Sequence, residues 1–328
     1  MENNKQGTFY IVSWEVPLLA AAMALSCTVC VSAAEDETIK LTVWGAEEDQ
    51  DLLKELTDKF QEKYADQKFD IQIGVESEST AKDTILTDVE AGADVYAFAD
   101  DQLTDLVKAG ALLKLDDYAE ALQLADTTLD DVKAANVEGA IDAASWDSLL
   151  EAADKAGKKV GMTLASGNLV ACVSGTWDAI TAQDVFGDGY AATKLPTFTV
   201  GDKQVQQGSV AGYKYVGVNG YSENSGWAVL LAEYFTNEES QQMFFDQRES
   251  GPSNKNVAAS DSVQENVALA ALSAQSEYAQ AQKVGGKYWD SAQTFGELVA
   301  QGTLSADDDN AIQEALDNLV DGVTAPVE

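Results

Sequence analysis

Residues 39–75 read IKLTVWGAEEDQDLLKELTDKFQEKYADQKFDIQIGV. Ile39, Leu41 and Val43 alternate with polar residues and run into Trp44, which is the period of a strand. Leu52, Leu53, Leu56, Phe60 and Tyr64 then recur at helical spacing, with acids and lysines on the other face. Phe69, Ile71, Ile73 and Val75 restore the alternation. A helix joining two such strands predicts a parallel βαβ unit with a right-handed crossover. The loop after the first strand carries Trp44, Glu47, Glu48 and Asp49. It lies at a strand's carboxyl end, where open α/β sheets bind their ligands.

The pattern continues as an α/β lobe. An amphipathic segment runs around Ile85, Leu86 and Val89, and a short strand covers 94–98. A helix through Leu103 and Leu106 ends near Gly110. The second strand end, Phe98-Ala99-Asp100-Asp101-Gln102, repeats the decoration of the first: an aromatic beside acids and amides. That pairing suits a sugar, whose apolar face stacks on an aromatic while its hydroxyls donate to carboxylates. The competing account is that Trp44 caps the core and the acids favour a helix N-terminus.

Farther along, SWDSLLEAADKAGKKVG from Ser145 reads as a helix with a serine N-cap. NLVACVSGTWDA and KLPTFTVGDKQVQQGSVAGYKYVGVNGYSEN follow, and the remainder reads as helical. Trp146 and Trp227 sit beside leucines in helical segments, which makes them core. No tandem repeat, phosphate-binding glycine loop or calcium loop is present; ADDDNAIQEAL at Ala306 lacks the glycine and alternating ligands of the last.

Composition narrows the chemistry. The 328 residues suffice for two domains, and a 45% hydrophobic content supports a sizeable core. The formal charge of −36 repels phosphate backbones and anionic membranes, which argues against nucleic acid as a partner. Histidine is absent, which removes histidine acid/base chemistry, histidine zinc sites and the Ser-His-Asp triad together. Of three cysteines, Cys27 and Cys30 lie in an apolar N-terminal run that ends in VSAA, a signal-peptidase pattern. A leader over 1–34 is therefore expected, cleaved after Ala33 or Ala34, with a lipid anchor at Cys27 as the alternative. Processing would leave Cys172 alone, a small hydrophobe without a disulfide partner. No other stretch is long and apolar enough to span a bilayer.

The strings LTVWG with LLKELTDKFQEKY, AGADVYAFADDQLTDLVKAGALLKLDD, SGTWDA, KLPTF and FTNEESQQMFF occur in this order. Together they resemble the maltose-binding-protein-like extracellular solute-binding proteins of ABC sugar importers. The resemblance implies an α/β fold of two lobes joined by a hinge, with sugar bound in the cleft between them. It implies lobe 1 over 35–140 and 210–260, and lobe 2 over 141–209 and 261–328. It implies binding positions at Trp44, Glu47, Glu48, Phe98, Asp101, Trp177, Tyr288 and Trp289. Tyr213 and Tyr215 fall where the chain recrosses, at hinge or rim. Function follows from the same resemblance: a secreted or cell-surface, cofactor-free, metal-free, non-catalytic monomer. It would bind a maltodextrin-like oligosaccharide and deliver it to the transmembrane subunits of a permease.

The chain also departs from the family pattern. Ala144 runs directly into Ser145, and only Asn168 and Leu169 separate KKVGMTLASG from the strand at Val170. By these joins roughly a hundred residues of a family-sized pair of lobes are absent, so an incomplete second lobe is expected. Two other functions stay open from sequence: a secreted acidic interaction protein or remnant whose cleft no longer works, and a glycoside hydrolase. The second would need two carboxylates about 5–10 Å apart with divergent pKa values.

Overall fold

The computed structural model describes residues 38–115, 118, 145–155, 159–161, 169–281, 288–305 and 307–324. The expected leader, Cys27, Cys30 and the residues just before Ser145 lie outside the described residues.

The βαβ reading holds. Strand β1 (Ile39–Gly45), helix α1 (Gln50–Lys63) and strand β2 (Phe69–Val75) form the unit, with Ile39 opposite Phe69 and Gly45 opposite Val75 in parallel register. The alternation sends Leu41 and Val43 to one face of the sheet, where both are buried. Leu52, Leu53, Leu56 and Phe60 of α1 cover that face. Each such side chain contributes about 1.5–3 kcal/mol on burial. Asp51 in the first turn of α1 and Lys63 in the last suit the helix dipole. Phe60 is the pivot, with Tyr64, Phe69 and Tyr234 at ring-centroid distances of 4.9, 5.4 and 5.8 Å. Truncating it to alanine would remove about 3–5 kcal/mol.

Helix α2 (Ala81–Thr87), strand β3 (Val95–Ala99) and helix α3 (Leu103–Lys108) complete this part of the chain. The sheet order is β2-β1-β3-β9; β1 and β3 are parallel, while β9 (Lys214–Val218) is antiparallel to β3. The second face of the sheet carries its own core of Ala81, Ile85, Ala93, Tyr96, Phe98, Leu106 and Ala111.

Between these segments come helix α4 (Trp146–Lys155), strands β4 (Lys159–Gly161) and β5 (Leu169–Cys172), and helix α5 (Ala179–Phe186). Ser145 caps α4 as expected: its hydroxyl accepts from the Ser148 N–H at 3.2 Å. Strands β6 (Thr197–Val200) and β7 (Lys203–Gln206) form a hairpin over Gly201-Asp202. Gly201 has φ +60°, a left-handed conformation that glycine adopts without strain. Among the described residues from 145 to 206, the only sheets are the pairs β4–β5 and β6–β7.

Strand β8 (Ser209–Ala211) leads into β9 and pairs in parallel with β10 (Ala279–Ala281). The sequence assigns only helix beyond 225, so β10 is a correction. Its three residues are too short to show a period, and only pairing with the distant β8 defines it. Helices α6 (Ser225–Thr236) and α7 (Glu238–Arg248) return to the first sheet. Trp227 is core as predicted, packed edge-on against Tyr64 and Phe69 at 5.4 and 5.1 Å. The side chain of Trp146 lies outside the described residues.

Helices α8 (Lys255–Ala258), α9 (Asp261–Gln264) and α10 (Val267–Ser276) share a small core of Phe245, Val257, Val263, Leu269 and Ala270. That core runs across residue 260. The chain ends in the pair α11 (Tyr288–Ala300) and α12 (Asp309–Thr324), which pack chiefly on each other. Among the described residues no helix is long and apolar enough to cross a membrane.

Candidate functional site

The carboxyl ends of β1, β2 and β3 form an acidic rim. After β1, Glu47, Glu48 and Asp49 form a 3-10 turn. Glu47 and Glu48 are exposed; Asp49 is half-buried and accepts from Arg248 Nε at 3.0 Å. Arg248 Nη2 also stands 3.9 Å from Glu48. Burial pushes the Asp49 carboxyl above the usual range, with the arginine pulling it back. Glu78, beyond β2, pairs with Lys214 at the start of β9. Burial acts to raise the Glu78 carboxyl, but the lysine wins and its pKa is lowered.

After β3, Asp100 and Asp101 enter a 3-10 turn held from both sides. The Asp100 N–H donates to the Tyr213 carbonyl at 2.9 Å. The side chain of Gln102, buried at 4% exposure, donates to the carbonyls of Glu78 and Ser79, both at 2.8 Å. Its oxygen accepts from the Lys82 N–H at 3.0 Å. Burial, reinforced by the Asp101 charge, pushes the Asp100 carboxyl up to about 6. Onto this turn comes α11: the indole N–H of Trp289 donates to Asp101 Oδ2 at 3.3 Å. Tyr288 braces the indole edge-on at 5.1 Å.

A model of bacterial extracellular solute-binding proteins matches residues 155–271. Solved structures match over nearly their whole length. The ligand-free maltodextrin-binding protein MalE1 from L. casei BL23 is 20% identical with a TM-score of 0.66, over 89% of this chain and 100% of its own. The maltose-maltodextrin-binding protein of Alicyclobacillus acidocaldarius is 16% identical with a TM-score of 0.66, over 87% and 100%. A cyclo/maltodextrin-binding protein solved with maltotetraose is 14% identical with a TM-score of 0.65, over 90% and 100%. This chain has the two-lobe, maltose-binding-protein-like fold of the extracellular solute-binding proteins. No curated protein matches it in sequence.

Within the solute-binding-protein fold, six of the eight sequence-derived positions separate into three groups. Asp101, Tyr288 and Trp289 come together at the rim, although the two aromatics lie far along the chain from the acid. Glu47 and Glu48 stand exposed on the neighbouring turn. Trp177 stands on a separate 3-10 turn (Thr176–Asp178) beside α10, 78% exposed, its ring folded back over Gly175. A side chain at Gly175 would collide with that indole, which is why a glycine precedes it by two.

Phe98 is a correction. Phe98 is 1% exposed and enclosed by Tyr96 and Tyr215 at 5.9 and 5.6 Å, so its ring is unavailable to a ligand. Trp44 is half-buried against the second core and lies over Gly74 of β2, where a Cβ would come within 3.0 Å of the indole. Its open side faces a shallow cavity of about 490 Å³ walled by Asp83, Thr84, Thr87 and Asp88. Trp44 thus packs one side on the core and leaves the other open.

Arg248 and Lys214, which place charge among the acids, were missed from sequence. Arg248 is the chain's one arginine, and in so acidic a sequence that rarity is the signal that marks it. Chemically, the rim offers exposed carboxylates as hydroxyl acceptors and the exposed Trp289 indole as a stacking face. Among the described residues no group of three acids or cysteines is arranged to hold a metal ion.

Proposed function

We propose that this chain is the extracellular carbohydrate-binding subunit of an ABC importer, taking a maltodextrin-like oligosaccharide and delivering it to a transmembrane permease. The observation that carries the reading is the meeting of Trp289 with Asp101 at the strand ends. An aromatic platform 53% exposed stands there beside a half-buried carboxylate, with the exposed acids Glu47 and Glu48 on the turn after the adjacent strand. Stacking on Trp289 and Trp177 would supply affinity, and Asp101, Glu47 and Glu48 would orient hydroxyls. Phe98 is left to the core. Residues 35–140 and 210–260 form the first lobe in this reading, with β8 and β10 as the crossing strands. The processed chain would act as a secreted or surface-tethered, non-catalytic monomer.

Calorimetric titration of the processed chain with maltose through maltoheptaose tests this. Saturable binding at one site per chain is expected, and the thermal midpoint should rise with ligand; at a hundredfold excess over Kd the gain is about 2.7 kcal/mol. Absence of heat and of any thermal shift across the series would favour an acidic interaction protein, and release of shorter sugars would mark a hydrolase.

A further inference from the structure

The Trp289–Asp101 contact has a role in the ligand-free chain. Among the described residues the α11–α12 pair buries little of its surface. Among its described residues only Ala315 is buried, while Val299 and Val320 are each 54% exposed. The two helices pack chiefly on each other, with Gly322 close against Ser291. Upstream, the pair is tethered through β10, whose pairing with β8 covers three residues. Such a short ladder is weak by itself.

Asp101, by contrast, is a firm anchor. Its neighbour Gln102 is locked by three hydrogen bonds, and its other neighbour, Asp100, is tied to Tyr213. Trp289, 53% exposed, meets Tyr288 edge-on at 5.1 Å. The acid is thus presented from a fixed backbone turn, and its charge strengthens the bond it accepts from the indole N–H at 3.3 Å.

We propose that Asp101 is a positioning residue: its carboxylate holds the Trp289 indole and, through it, docks the α11–α12 pair on the rim of the first sheet before any ligand arrives. A polyhydroxylated ligand that donates a hydroxyl to Asp101 takes the place of the indole N–H and frees the ring to stack. The docking is independent of what the cleft takes, whereas this exchange of partners rests on the carbohydrate reading above.

Hydrogen exchange on the intact ligand-free chain reads the docking directly. Its measure is the rate at residues 288–300 relative to 39–45, so that any general loosening cancels. Trp289→Phe, which keeps a ring but loses the N–H, and Asp101→Leu should each speed that ratio roughly threefold to tenfold. The double variant should be no faster than the faster single one, since both remove the same bond. Asp101→Asn, whose amide oxygen still accepts, should fall in between. Single variants that match wild type, or a double variant whose effects multiply, overturn the docking. Maltotetraose should then raise exchange at the first turn of α11 in wild type. If it binds by calorimetry and leaves that turn unchanged, the exchange of partners is wrong while the docking stands; if it does not bind, the carbohydrate reading fails instead.

Discussion

The backbone N–H of Asp100 donates to the carbonyl of Tyr213 at 2.9 Å, tying the end of β3 to the chain just before β9. The acid is thereby held half-buried at a junction where first-sheet residues meet the segment returning from β8. Its carboxyl is raised to about 6, by burial first, with hydrogen bonding from Tyr213 opposing and the Asp101 charge adding.

That shift has a definite sign for stability. The folded chain holds the Asp100 proton more tightly than the unfolded chain, whose carboxyl titrates near 3.8. Its stabilising contribution is fully present below about pH 3.8 and is lost as pH rises through about 6. Because the group is half exposed, solvent screening leaves on the order of 1 kcal/mol. Asp100→Asn stays neutral throughout, so its thermal midpoint should gain on wild type between pH 4 and pH 7. Parallel curves for the two proteins would rule this out.

The first sheet was legible because its signals are local. Alternation and helical spacing within 39–75 specify β1, α1 and β2 with little help from elsewhere, and Ser145 declares its cap by residue type. Phe98 shows the limit. At a strand end, beside acids, it reads as a rim aromatic; it becomes core because Tyr215, more than a hundred residues downstream, lies against it on an antiparallel strand. One side of Trp44 is drawn inward in the same way by Gly74 and Tyr96. The resemblance implied that Trp289 and Asp101 both line a cleft; that they meet directly was legible neither from it nor from the spacing of either residue.

Gln102 should prove a structural keystone of the rim. Leucine there has nearly the right volume but leaves the Ser79 carbonyl and the Lys82 N–H without this partner, while the Glu78 carbonyl keeps only the Ala99 N–H at 3.0 Å. Each buried unsatisfied group costs about 1–3 kcal/mol, so Gln102→Leu should lose about 2–4 kcal/mol in urea unfolding with an unchanged m-value. A loss below about 0.5 kcal/mol would mean water reaches these groups and the clamp is dispensable.

The segment from 145 to 173 should exchange its amides faster than 39–113. The first sheet has four strands with a core on each face, whereas β4–β5 is a two-stranded pair. Two strands alone are marginal in water. Exchange measured peptide by peptide on the native chain decides it: equal protection would show that this segment is as tightly supported as the first sheet.

The two tryptophans Trp177 and Trp227 should separate binding from stability. Trp177 is 78% exposed and its loss removes little buried surface, so Trp177→Ala should shift the unfolding midpoint hardly at all. As a stacking face it would contribute about 1–3 kcal/mol to oligosaccharide binding, so affinity should fall roughly tenfold to a hundredfold. Trp227 packs edge-on against both Tyr64 and Phe69 beneath the first sheet. Trp227→Ala should therefore cost about 3–5 kcal/mol of stability while leaving affinity within about twofold, provided titrations are run where the variant is folded. Denaturation and calorimetry on the two variants give four numbers, and the opposite pairing, with Trp177 stabilising and Trp227 binding, would place the ligand on the wrong aromatic.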